Sequence, residues 1–300
     1  MKEADQNSLQ KDQELNFPKS IDINPTAKCN LNCSYCWGPD HNIPDGLSTE
    51  DWKNTLRFFA ERGTGAVVFT GGEPLVRKDI GQLVQFAKYQ GMKVTLSTNT
   101  LLLQRHSDEI LPYIDEIGIP IDGSNPEANS KMRLGNPRAF DSSVKALHFV
   151  RKHCPTIEIT VRTVVSKVNK DEILNIGAFL KDQGNVFDRW KLYQFTPVSI
   201  GARHREEHEL NTEEFNNIAL KAKTNFPQLR IVDYPSDQRV GKYVFIGPEG
   251  NIFGVDKDGE YKVVGNLNQS SLSSMDNLFR DICNIERNSS HAHNQTFLRM

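Results

Sequence analysis

The sequence predicts an α/β protein: an incomplete (β/α)6 barrel followed by a small C-terminal α+β cap. Three observations carry that expectation. Short apolar runs alternate with amphipathic stretches between residues 20 and 197, the chemistry-bearing residues fall where those runs end, and the alternation stops after residue 200. Runs that alternate with helical patterns pair as parallel strands, and their crossovers are right-handed. Six units are fewer than a closed eightfold barrel needs, so the barrel is expected to be open at the side, with its reactive groups at the C-terminal strand ends.

Ile21 to Thr26 reads as the first strand and runs directly into a cysteine-rich loop. Ser48 then has the character of a helix N-cap with Asp51 at N3. Trp52, Leu56 and Phe59 follow at helical spacing, and Gly63 ends the turn. Ala66–Thr70 is the second strand. A helix after it carries Ile80, Leu83, Val84 and Ala87 on one face and stops at Gly91. The third strand is Lys93–Ser97, followed by a helix near Ser107–Leu111. The fourth is Glu116–Ile121, with a helix over roughly Phe140–His153 behind it. Ile157–Val165 and Trp190–Phe195 are the fifth and sixth strands, separated by a helix from about Asp171 to Gln183.

Beyond residue 200 the charged run Arg203–Glu209 precedes a helix around Asn211–Lys223. Two short strands follow, Tyr243–Ile246 and Ile252–Gly254, joined by Gly247-Pro248-Glu249-Gly250, a strong turn signal. The organisation expected is a flexible leader (1–19), a barrel (20–200), a cap with a β-hairpin lying over the open barrel (201–287) and a flexible tail (288–300).

Hydrophobic residues at 37% and charged residues at 25% fit a soluble globular chain. A formal net charge of −2 leaves no electrostatic footprint for nucleic acid or an anionic membrane. No apolar run approaches the roughly eighteen residues of a membrane span, and the polar N-terminus has no apolar core of a secretory signal. A cytoplasmic protein without nucleic-acid or membrane partners is expected. Five cysteines occur, three of them clustered and two alone, Cys154 and Cys283. An odd, clustered set does not suit a disulfide framework and points to a metal site in a reducing compartment.

Cys29-Asn-Leu-Asn-Cys33-Ser-Tyr-Cys36 is the decisive motif. Closely spaced thiolates let one loop hold three corners of an iron–sulfur cube and leave the fourth iron open. The alternatives are chance clustering or zinc, which needs a fourth Cys or His; His41 is the nearby candidate. Gly71-Gly72-Glu73-Pro74 follows the second strand, and its glycines permit close backbone approach to a ligand. Ser97 and Asn99 close the third strand, Asp122 the fourth and Ser166 the fifth. The bland reading makes these residues helix caps and turn formers. Arg162 and Lys191 interrupt apolar strands, where a cation needs a partner or a polar ligand, unless it snorkels to solvent from a strand edge. Tyr193 and Gln194 share the Lys191 strand end. His204 and His208 fall in the charged surface segment, and Cys154 reads as a small packed residue.

The cysteine triplet after a first strand, with Tyr35 before its last cysteine and a GGEP sequence after the second strand, resembles the radical S-adenosylmethionine (SAM) superfamily over roughly residues 20–197. The resemblance implies a radical SAM barrel whose [4Fe–4S] cluster is ligated by Cys29, Cys33 and Cys36, with SAM chelated to the open iron. It further implies one-electron cleavage of SAM to methionine and a 5′-deoxyadenosyl radical that abstracts a substrate hydrogen. Tyr35, Gly71, Gly72, Glu73, Pro74, Ser97, Asn99, Asp122 and Ser166 are then the SAM-contacting candidates. Arg162, Lys191, Tyr193 and Gln194 are the substrate-facing ones, with Cys283 a hydrogen-atom donor if the cap folds over the site. The electron donor is expected to be a flavodoxin or ferredoxin.

Phe245–Phe253 followed by Val264-Gly265-Asn266-Leu267 resembles the hairpin skeleton of caps that carry auxiliary clusters, but Gly254 and Val255 stand where a cysteine is usual. The cap therefore reads as cluster-free. With Arg189-Trp190-Lys191 it is similar to the viperin-like nucleotide dehydratases, and more distantly to molybdenum-cofactor GTP cyclases and antibiotic-pathway epimerases. Aligned without gaps onto Ser166-Lys167-Val168-Asn169, the fifth strand departs from viperins, with Thr160 and Arg162 where they present Lys and Asn. The expected substrate is a small molecule, a nucleoside, nucleotide or sugar derivative undergoing dehydration, epimerisation or rearrangement. A peptide-modifying maturase and a non-catalytic iron–sulfur or zinc protein are the alternatives.

Overall fold

The computed structural model describes residues 17–134, 136–239, 244–255 and 261–268. Nearly all of the expected leader, the tail and Cys283 lie outside the described residues. Among the described residues ten strands form one sheet: β1 (Ser20–Ile23), β2 (Ala66–Phe69), β3 (Lys93–Ser97), β4 (Glu116–Pro120), β5 (Glu158–Val165), β6 (Arg189–Gln194), β7 (Ile231–Tyr234), β8 (Val244–Ile246), β9 (Asn251–Val255) and β10 (Tyr261–Asn266). Their order is β10-β9-β8-β1-β2-β3-β4-β5-β6-β7. β1 through β7 pair in parallel, as does β8 with β1, while β8, β9 and β10 form an antiparallel meander.

Crossovers α1 (Thr49–Glu61), α2 (Ile80–Tyr89), α3 (Leu103–Ile110), α4 (Pro126–Met132), α5 (Arg138–His153) and α6 (Ile173–Asp182) connect β1 to β6, and α7 (Arg205–His208) and α8 (Thr212–Asn225) lead to β7. The expected cap region thus supplies strands to the barrel's own sheet at both ends. Among the described residues the parallel series, β8 included, is eight strands long, two more than the sequence suggested. The first strand stops at Ile23 rather than Thr26, because Pro25 has no amide hydrogen to donate to a ladder.

Strand alternation sorts the side chains. Ile21 and Ile23, Val67 and Phe69, Val94 and Leu96, Ile117 and Ile119, and Ile159 and Val161 are fully buried. Trp52, Leu56 and Phe59 of α1 and Leu83, Val84 and Ala87 of α2 belong to the same core. Each large side chain buried there contributes about 1.5–3 kcal/mol. The opposite strand positions carry Asp22, Thr95, Glu116, Gly118, Arg162, Lys191 and Tyr193, which all line one internal cavity of about 410 Å³. Residues from β1 and from β6 reach the same cavity, so the sheet curls into an open barrel.

The start of α1 follows the expectation closely. Asp51 N donates to Ser48 Oγ (3.2 Å) and Ser48 N donates to Asp51 Oδ2 (2.9 Å). This capping box aims the helix directly after the cysteine loop. Ser48→Ala removes one half of it and is expected to cost about 1 kcal/mol, read as a lowered urea midpoint with an unchanged m value.

Candidate functional site: a three-thiol cavity at the barrel mouth

Cys29, Cys33 and Cys36 face the upper end of the cavity, just beyond the C-terminal end of β1. The loop is held by backbone pairing to the turn after β2: Gly72 N donates to Thr26 O (3.0 Å) and Glu73 N to Lys28 O (2.9 Å). This approach is close enough to require glycine. Gly71 has φ +113, and a Cβ on Gly72 would lie 2.3 Å from Lys28 O.

Glu73 is buried and its oxygens are committed within the protein. Oε1 accepts from Thr98 Oγ1 (2.8 Å) and Leu75 N (3.1 Å), and Oε2 from Asn99 N (2.6 Å). Burial raises its pKa while these donors oppose the shift. Asn99 Nδ2 in turn donates to Asn30 Oδ1 (2.6 Å) and lies 3.9 Å from Cys29 Sγ. Two sulfurs accept backbone amides, Cys29 from Leu31 N (3.4 Å) and Cys36 from Gly38 N (3.3 Å). Leu31, Tyr35, Met132 and Phe195 pack around the thiols.

Such a donor set fits an iron–sulfur cluster: three thiols converge on one cavity, and N–H···S bonds of this kind tune clusters. Among the described residues no three His, Cys, Asp or Glu side chains converge tightly enough for a single metal ion. His41 is partly exposed and does not line the cavity.

Of the other expected site residues, Tyr35, Gly71, Gly72, Glu73, Ser97, Asn99, Asp122, Arg162, Lys191, Tyr193 and Gln194 line the cavity. Pro74 and Ser166 do not. Pro74 opens a short 3-10 turn, and Ser166 Oγ is 3.3 Å from His208 Nδ1 and donates to Met132 Sδ (3.4 Å). Gln194 is tied by its amide, Nε2 donating to Leu210 O (2.9 Å) and Oε1 accepting from Ser236 N (2.8 Å). Asp122 is likewise engaged. Its Oδ2 accepts from Tyr35 Oη (2.8 Å) and Arg133 Nε (2.9 Å), and its Oδ1 from Val164 N (2.9 Å).

Arg133 is a site residue that sequence reading missed. It lines the cavity beside the cysteines. Burial works against its charge, but Tyr35 and Asp122 beside it raise its pKa. His208, expected at the surface, is instead fully buried, its Nε2 2.8 Å from Ser34 Oγ within the cysteine loop. Asp22 and Glu116, also missed, sit in the lower half of the cavity. Burial pushes Asp22 up to about 7 against the pull of Arg162.

A Cβ added in Gly72→Ala collides with backbone rather than with a movable side chain. That variant is expected to keep its circular dichroism and to bind less iron per chain after anaerobic reconstitution. Asp22 has a folded pKa above its unfolded value, so its contribution to stability is greatest below about pH 4 and is lost as pH rises to about 7. Asp22→Asn is therefore expected to raise Tm at pH 8 and to leave it nearly unchanged at pH 4, as scanning calorimetry at the two pH values would read.

The sequence profile of the Radical SAM superfamily matches residues 23–180. An AdoMet-dependent heme synthase of Methanosarcina barkeri is 33% identical over 68% of this chain and 57% of its own length. An S-adenosylmethionine-dependent nucleotide dehydratase of Selenomonas ruminantium is 26% identical over 82% of this chain and 89% of its own. The chain spans about half the length of the heme-synthase and coproporphyrin-synthase relatives it matches. In fold it is similar to Streptococcus suis SuiB bound to precursor peptide SuiA, with a TM-score of 0.74 and 18% identity over 92% of this chain and 67% of that one. With a profile match over more than half of its residues, the chain belongs to the radical SAM superfamily of enzymes, which use a [4Fe–4S] cluster and S-adenosylmethionine.

Proposed function

We propose that this enzyme removes a hydrogen atom from a small polar substrate, a nucleoside, nucleotide or sugar derivative, leading to dehydration, epimerisation or rearrangement. The observation that carries the reading is the shared cavity. Cys29, Cys33 and Cys36 line it together with Asp22, Arg162, Lys191 and Tyr193, so a polar molecule held by the charged groups would share one cavity with the cofactors. The nucleotide dehydratase relative and a GTP 3′,8-cyclase of Aquifex aeolicus, 28% identical over 79% of this chain, support it.

In this reading Cys29, Cys33 and Cys36 ligate the cluster, Gly71, Gly72 and Asn99 border the methionyl part of SAM, and Arg133 faces its carboxylate. When bound and reduced by one electron, the pair supplies a carbon-centred radical able to take a hydrogen atom. The chain's own residues do the rest. Leu31 and Phe195 exclude water around the thiols. Tyr193 and Tyr234, stacked with ring centroids 4.8 Å apart, form a flat wall for a ring-shaped substrate. Asp22, poised near neutrality, holds or releases a proton. A flavodoxin or ferredoxin as electron donor and a cytoplasmic setting without nucleic-acid or membrane partners belong to the same proposal; among the described residues no helix is long and apolar enough to cross a membrane.

The test is an anaerobic substrate panel with deuterated nucleosides, nucleotides and sugar derivatives. Deuterium appearing in 5′-deoxyadenosine from a member of that panel is the expected result. Transfer from a peptide alone would overturn the substrate class, and no cleavage of SAM by the iron-loaded chain under strong reductant would overturn the enzymatic reading.

A further inference from the structure

The lower half of the cavity holds an uneven charge arrangement. Glu116, first residue of β4, is buried with Lys191 Nζ donating to its Oε1 (2.8 Å) and Thr160 Oγ1 donating to the same oxygen (3.0 Å). Arg189 and Lys93 each lie 3.8 Å from its Oε2. Burial opposes its ionisation, yet Lys191 and Arg162 hold the carboxyl at about 2. Lys191 is therefore neutralised by Glu116 on the spot, and Arg189 is paired with Glu158.

Arg162 differs. Its Nη2 is 3.6 Å from Glu116 Oε1, beyond hydrogen-bond distance, and its buried Nε, like that of Arg189, has no hydrogen-bond partner among the described residues. Gly118 explains how the guanidinium is held. A Cβ at that position would lie 2.2 Å from Arg162 Nε and 2.3 Å from its Cζ. The missing side chain is a notch in β4 that lets the guanidinium lie against the strand while its edge lines the cavity.

We infer that Arg162, seated over Gly118, anchors one terminal oxyanion of the substrate, a carboxylate or a phosphate monoester, and that Glu116 selects against polyphosphates by neutralising Lys191. The inference rests on the proposed small polar substrate and narrows it. A guanidinium fork matches a single carboxylate or phosphate group. A triphosphate brings several negative charges, and the Glu116 carboxylate in a low-dielectric cavity repels them while Lys191, hydrogen-bonded to that carboxylate, is not free to meet them.

Calorimetric titration of the iron-loaded, SAM-bound enzyme tests this with three probes: uridine 5′-monophosphate, uridine triphosphate and glucuronate. The monophosphate or the glucuronate is expected to bind at least about tenfold more tightly than the triphosphate, and which of the two prevails distinguishes phosphate from carboxylate. Arg162→Gln should weaken the preferred probe by about tenfold or more. Glu116→Gln frees Lys191 and should tighten triphosphate binding, a gain that misfolding cannot imitate. Tighter triphosphate binding by the unaltered enzyme, binding of none of the probes, or an Arg162→Gln variant with lowered Tm and unaltered affinity would each overturn the inference. SAM cleavage by the unaltered enzyme is read separately as 5′-deoxyadenosine, so its failure would overturn the proposed function while the binding result judges the anchor.

Discussion

The backbone clamp between the turn after β2 and the entry to the cysteine loop is the constraint on which the site depends. Two amides of Gly72 and Glu73 reach carbonyls of Thr26 and Lys28, and no side chain fits between the two segments. The carboxylate of Glu73 extends the clamp to a third segment through Thr98 and the Asn99 amide. Three loops from three adjacent strands are thereby fixed relative to one another before any cofactor binds. A buried carboxylate is costly to desolvate, and satisfying it with three donors turns that cost into rigidity. The thiols at 29, 33 and 36 inherit their arrangement from this pairing.

Below the clamp, strand alternation separates two environments within one sheet. Outward-facing isoleucines, valines and leucines dock the helices, and the same strands turn Asp22, Glu116, Arg162 and Lys191 inward. A barrel filled only with apolar layers would leave no room for a polar ligand. Here Gly118 and the charged positions keep the interior open, and pairing meets part of their cost. The charge on Lys191 answers Glu116, and Arg133 answers Asp122.

Much of this was legible in the sequence because its signals are local. The capping box at Ser48, the turn at Gly247–Gly250 and the runs of alternating apolar residues each identify an element without reference to the rest of the chain. β7 was not legible: Ile231-Val-Asp-Tyr234 is four residues long, half polar, and lies between Pro227 and Pro235. Its strand character comes from pairing with β6. The same holds for the membership of β8 in the barrel sheet. Arg133 and His208 carry no motif; α4 and the turn after it bring one to the cysteines, and α7 buries the other behind them. Asp22 and Glu116 did carry a signal, a charged residue within an apolar run, which is the pattern that singled out Arg162 and Lys191. The turn reading for Asp122 was partly right in a different sense, since its side chain lines the cavity while its polar atoms hold neighbouring segments.

The central claim is that three thiols from one clamped loop ligate a cube and leave one iron for SAM. Mössbauer spectroscopy of the chain reconstituted with iron-57, recorded with and without SAM, tests it most directly. The account predicts that one iron in four changes its isomer shift and quadrupole splitting when SAM is added while the other three do not. Four irons that respond alike, or not at all, would contradict it.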